Sequence, residues 1–167
     1  MTQEGNFDDA WVGKKLPPVT IRVERDAILR YCRSTGMTIP IHTEDEAARV
    51  AGYRGLVVPI TMFTQMVRDQ QPHFRRRFHG MGMGAGTAVE ALAPVCAGDI
   101  VEGTTYVKDV FTKTGRSGTM TFVLLETILT DQSGERVVAI TESFVKKNGA
   151  NPTNSRPAAD GLSSHQV

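Results

Sequence analysis

Val19, Ile21 and Val23 alternate with Thr20 and Arg22, the period-two pattern of a half-buried strand. Four longer stretches later in the chain carry the same signature, at 87–94, 100–112, 118–130 and 135–147. In the third of these, Val123, Leu125, Thr127 and Leu129 share one face, while Phe122, Leu124, Glu126 and Ile128 share the other. Both faces are fairly apolar, which predicts a sheet covered by a helix on one side and by a partner on the other. Turn chemistry separates the strands. Ala97-Gly98-Asp99, Thr114 to Gly118 and Asp131-Gln132-Ser133-Gly134 each place a glycine where the chain must reverse. The second half of the chain therefore predicts an antiparallel meander of long strands.

Between the first strand and the others the period lengthens. Ala27, Ile28, Tyr31 and Cys32 fall at i, i+1, i+4 and i+5 within 25–34, an amphipathic helix that Gly36 ends. Thr43 is placed to cap a second, short helix whose first turn holds Glu44, Asp45 and Glu46, where negative charge meets the positive helix end, and Gly52 stops it. After the turn Tyr53-Arg54-Gly55, the run Leu56-Val57-Val58 enters Pro59. Met62, Phe63, Met66 and Val67 then share one face of 61–70, predicting an apolar helix at the centre of the molecule, ended by Pro72. Pro17-Pro18 keeps any helix from running into the first strand. The predicted organisation is an N-terminal extension (1–16), a single domain (17–147) and a tail (148–167) rich in Asn, Pro, Ser, Ala and Gly, expected to be disordered.

Composition narrows the function. The chain has 167 residues, 40% of them hydrophobic, enough for one core. Nineteen basic against eighteen acidic side chains leave a net charge of +1, which gives no footprint for nucleic acid or an anionic membrane. No apolar run approaches the ~20 residues that span a bilayer. The first residues, MTQEGNFDDAW, are acidic where a signal peptide would be basic, so a cytoplasmic protein is expected. Cys32 and Cys96 lie in no metal-ligand spacing and are expected to be reduced, small hydrophobes; no metal is expected. Gly80, Gly82, Gly84 and Gly86 alternate, yet no Lys-Ser/Thr follows them, so the phosphate-binding pattern is missing and a mobile loop is expected. Arg75, Arg76 and Arg77 read as a solvated run, with contact to the phosphates of a carrier such as coenzyme A as the alternative.

The string IPIHTEDEAARVAGYRGLVVPITMF, then ALAPVCAGDIVEG, then KTGRSGTMTFVLLETILTDQSGERVVAITESFV, resembles the MaoC-like dehydratases, a family that includes R-specific enoyl-CoA hydratases and paired hydroxyacyl-ACP dehydratase subunits. The more specific parts are Pro94, Gly98 and Asp99 in one turn and the run from Gly52 to Pro59. The resemblance covers about residues 17 to 147. It implies an α+β hot-dog fold, an antiparallel sheet wrapped around one central helix. It also implies a homodimer, or a heterodimer with another MaoC-like chain, holding an acyl thioester of coenzyme A or acyl carrier protein, with no further cofactor.

Catalytic members carry a loop Asp-x-Asn-Pro-x-His, whose Asp and His bind one water, while a main-chain amide near the central helix polarises the thioester carbonyl. Two groups of different proton affinity can divide the work of adding water across the enoyl double bond. Here His42 falls on the His and Pro40 on the Pro, but Met37 falls on the Asp and Ile39 on the Asn. Neither Met nor Ile exchanges a proton, which leaves a lone imidazole. Glu44, Asp45 or Glu46 could fold back to orient it. Gly55, Pro59, Thr61 and Tyr53 are the candidate substrate-binding residues, with the oxyanion donor among the amides of 55–61. Three readings follow: a hydro-lyase using His42 as general acid/base, a non-catalytic partner subunit beside a chain that brings the Asp and His, or a thioesterase. The last needs a carboxylate on or near the central helix, which offers only Asp69.

Overall fold

The computed structural model of the protein describes residues 9–70, 82–116 and 118–147. The tail 148–167, the arginine run 75–77 and Gly80 lie outside the described residues. Five antiparallel strands form one sheet: β1 (Val19–Arg22), β2 (Gly82–Ala91), β3 (Ile100–Gly115), β4 (Gly118–Thr130) and β5 (Arg136–Lys147), in the order β1-β3-β4-β5-β2. Among the described residues a 3-10 turn (Asp9–Trp11) and four α-helices precede β2: α1 (Arg25–Thr35), α2 (Pro40–Thr43), α3 (Asp45–Val50) and α4 (Met62–Gln70). None among the described residues is long and apolar enough to cross a membrane.

The alternation along β4 decides which face is inward. Val123, Leu125, Thr127 and Leu129 are buried, and their cross-strand neighbours Phe144, Glu142, Ile140 and Val138 on β5 continue that face. Phe122, Leu124, Glu126 and Ile128 are only half-buried. Met62, Phe63 and Val67 of α4 join Ile28 and Cys32 of α1 and Ile21, Val101, Leu129, Val138 and Ile140 of the sheet in the main core. The hot-dog arrangement is therefore present, with α4 as the helix that the sheet encloses. An ion pair ties it down: Arg68 Nη2 of α4 lies 2.7 Å from Glu142 Oε1 on β5, whose side chain is 10% exposed.

Three local expectations change. The strands do not form one continuous meander, because β2 pairs with β5 and not with its sequence neighbour β3. The chain crosses the sheet between them, at 92–99. Second, Gly82, Gly84 and Gly86 form the first half of β2 and not a loop. A bulge between Gly84 and Gly86 absorbs the irregularity, and Gly86 passes so close to β5 that an added Cβ would meet Ser143 Oγ at 3.2 Å. Third, Thr43 is not a helix cap. It ends α2 and bonds back to the Ile39 carbonyl, while Glu44, in extended conformation, starts α3.

The hairpin expected at 131–134 is built by one carboxylate. Asp131 Oδ1 accepts the Ser133 amide at 2.9 Å, the Ser133 hydroxyl at 2.7 Å and the Glu135 amide at 3.0 Å. Gly134 takes the positive φ, 83°, that the reversal needs. N-terminal to β1 the chain also follows the sheet, with Gly13 and Leu16 donating to the carbonyls of Val107 and Thr105 on β3.

Candidate functional site

The His42 loop is pinned at both ends. Gly36 closes α1 in the left-handed conformation (φ 68°), and its amide and that of Met37 both point to the Cys32 carbonyl. Pro40 opens α2, where its missing N–H costs nothing. His42 sits at the third position of that single turn, and its Nδ1 lies 2.7 Å from the Val57 carbonyl oxygen. The Val57 amide returns a bond to the Ile41 carbonyl at 3.0 Å. A carbonyl only accepts, so Nδ1 carries the hydrogen and donates it.

No carboxylate reaches that ring among the described residues. Met37 is half-buried and packs against the main core, and Ile39 is 50% exposed. The acids of α3 are committed to arginines. Asp45 binds Arg25 at 2.6 Å, which holds its carboxyl below the usual range, and Glu46 binds Arg49 at 2.7 Å. Glu44 is exposed. None of the three folds back onto His42. Cys32 and Cys96 are buried, and burial raises both thiols, which keeps them protonated and poor nucleophiles.

The two specific sequence motifs turn out to be one structural unit. Leu56–Val58 lies antiparallel to Val95–Ala97, with Val58 N to Val95 O and Ala97 N to Leu56 O both at 2.8 Å. Gly55 lies against this pair, where a Cβ would stand 3.4 Å from the Ala97 carbonyl, within ordinary contact. Asp99 locks the unit by accepting the Cys96 amide at 2.9 Å and the Arg54 guanidinium at 2.8 Å. The consequence for an oxyanion site is direct. Within 55–61, the amides of Val57 and Val58 are already bonded and Pro59 has none. The amides of Leu56, Ile60 and Thr61 have no acceptor among the described residues, and of these only Ile60 and Thr61, just before α4, are exposed.

Pro59 is buried at this entrance, Tyr53 is half-buried with its amide on Ala48 O, and Thr61 is exposed. The Thr61 hydroxyl accepts a 2.8 Å bond from Tyr31 of α1, a residue that the sequence suggested only for packing. Tyr31 also lines a groove of about 550 Å³ between α1, β1 and α4, with Ile21, Ala27, Met62, Met66 and Asp69 among its walls. His42 is not one of them. Asp69 is exposed, next to last in α4.

A sheet folded around one helix defines a hot-dog protein. A model of the FAS1-like dehydratase domain region matches residues 10–140, and the chain belongs to that family. It is similar to the UPF0336 protein of Clavibacter michiganensis, 30% identical over 144 residues that cover 80% of this chain and 91% of that one. The UPF0336 protein of Streptomyces avermitilis is 29% identical and covers 84% of this chain and 95% of its own. Among solved structures, the C-terminally truncated HadBC complex of Mycobacterium tuberculosis, a 3R-hydroxyacyl-ACP dehydratase, superposes with a TM-score of 0.72 at 23% identity, covering 81% of this chain and 97% of that one. The (R)-hydratase of A. caviae involved in PHA biosynthesis superposes with a TM-score of 0.60 at 18% identity, covering 82% and 96%. At these identities the structural likeness speaks for the fold.

Proposed function

We propose that this chain is a subunit of a hot-dog hydratase or dehydratase that acts on an enoyl or 3-hydroxyacyl thioester, and that a second hot-dog chain supplies the Asp/His pair. The observation that carries this reading is the His42 loop: an imidazole bound to a backbone carbonyl, with Met37 packed where the carboxylate would stand. Water addition needs one group to take a proton and another to give one, and this loop offers a single group. What the chain retains is the framework for a thioester. The amides of Ile60 and Thr61 just before α4 are in a position to receive a carbonyl oxygen, with Gly55, Pro59 and Tyr53 shaping the approach. The carrier, coenzyme A or acyl carrier protein, is part of this proposal.

The partner's place is suggested by β2. This ten-residue strand is an edge of the sheet, and 83–88 are exposed, Met83 at 69%. A long, open edge rich in glycine is a template for pairing with another strand. The test is hydration of crotonyl-CoA by the purified chain alone and after mixing with a MaoC-like chain that carries the complete Asp-x-Asn-Pro-x-His loop. Activity that rises above that of the second chain only in the mixture supports the proposal. Full activity of this chain alone overturns it and supports a self-sufficient hydro-lyase, a reading favoured by one observation, that Nε2 of His42 has no partner among the described residues. A thioesterase has less support, because Asp69 is a solvent-exposed carboxylate near the far end of α4.

A further inference from the structure

We infer that His42 is a positioning residue, whose Nδ1–H ties the loop 37–44 to the segment entering α4. The inference rests on the partner-subunit reading and gives the imidazole a role that needs no proton transfer. Its geometry is a two-bond clasp: His42 Nδ1 to Val57 O at 2.7 Å and Val57 N to Ile41 O at 3.0 Å. Both polar groups of one peptide residue are thereby held by two consecutive residues of the loop. Val57 is 9% exposed, so its carbonyl has little water to fall back on if the imidazole is removed. Three residues, Pro59 among them, separate Val57 from Thr61, and a shift of the Val57 carbonyl passes along this short stretch to the amides just before α4.

A contact from behind the loop points the same way. Cys32, buried in α1, donates weakly to the His42 carbonyl at 3.7 Å, so a loop whose own residues are half-buried or exposed is held from its inner side. A loop fixed by a side chain of this shape calls for a donor at the Nδ1 position. Proton transfer would instead need the Nε2 position.

The two nitrogens can be separated by substitution. The amide nitrogen of Asn reaches the Nδ1 position of His, whereas that of Gln reaches the Nε2 position. His42→Asn and His42→Gln are therefore compared in the full-length chain by urea unfolding, and in the mixture with the MaoC-like chain by crotonyl-CoA turnover. His42→Asn is expected to keep the wild-type urea midpoint and turnover within about twofold. His42→Gln is expected to lower the folding equilibrium constant about tenfold, the scale of one lost part-buried hydrogen bond, and to lower turnover severalfold. Loss of turnover by a hundredfold or more in both variants with unchanged midpoints would make His42 a proton carrier and overturn the inference. Wild-type behaviour of both would overturn it too, by making the clasp incidental. If His42→Gln does not fold, His42→Asn decides alone by the same criteria. A mixture without activity counts against the partner-subunit reading, while the urea comparison still tests the clasp.

Discussion

Asp99 joins two chain segments that the sequence keeps more than forty residues apart. Its side chain is 8% exposed and satisfies the buried Cys96 amide, whereas Arg54, its ionic partner, is 71% exposed. The two residues should therefore differ in value. Asp99→Ala leaves the Cys96 N–H without an acceptor and is expected to cost about 1–3 kcal/mol in urea unfolding. Arg54→Ala removes a largely solvated charge and should cost under about 1 kcal/mol. A cost for Arg54 equal to that of Asp99 would show that the ion pair, and not the amide, holds the turn. Ile39 offers the opposite case. It occupies the N-cap of α2 in extended conformation with no side-chain cap bond, half exposed. Ile39→Asn should stabilise the chain by about 0.5–1 kcal/mol, because an amide oxygen can take one of the free helical N–H groups. Met37→Asp alone should destabilise it, since a carboxylate would replace a side chain packed against the core.

At the scale of elements, the tie between α4 and β5 and the hairpin after β4 respond to different conditions. Arg68→Ala leaves Glu142, one-tenth exposed, without its cation. The expected cost is about 2–3 kcal/mol, below the ~3–5 kcal/mol of fully buried pairs because Arg68 is itself 37% exposed. The hairpin depends on pH. The bonds from Ser133 and the backbone amides hold the Asp131 carboxyl below its ordinary 3.8. A group depressed in the folded state stabilises it above the unfolded value and loses that contribution as pH falls through the folded one. Stability should thus decline below about pH 3.8, and Asp131→Asn should flatten part of that decline in acid unfolding curves. These turns and β4 were legible in the sequence because local chemistry decides them: glycine at the reversals and strict alternation along 118–130. The placement of β2 was not. Its glycines carry no hydrophobic pattern, and which strand lies beside which is settled by pairing with β5, a contact between distant residues. At the candidate site, the lone His42 and its missing Asp were readable by position. Its bond to Val57 and the link from Tyr31 to Thr61 were not, since each joins residues that no period relates.

For the whole molecule, an open edge beside a covered core makes association the main expectation. Met83→Lys combined with Ala88→Lys places charge along exposed positions of β2 and should shift the chain toward the monomer in sedimentation velocity, with its far-ultraviolet circular dichroism unchanged. Unaltered association would place the partner on another surface. The loop from Met37 to His42 has a consequence of a different kind. Its entry is fixed by the amide of Met37 on the Cys32 carbonyl, and its exit by the clasp on Val57, so the span between two anchors is closed on itself. Such a span is a cassette. Its exposed positions, such as Ile39, can change without touching the sheet or the central helix, whereas a carboxylate at Met37 has to be accommodated against the core. Within one framework, duplication followed by a change of a few residues would then suffice to turn a self-reliant enzyme into a pair of dependent halves.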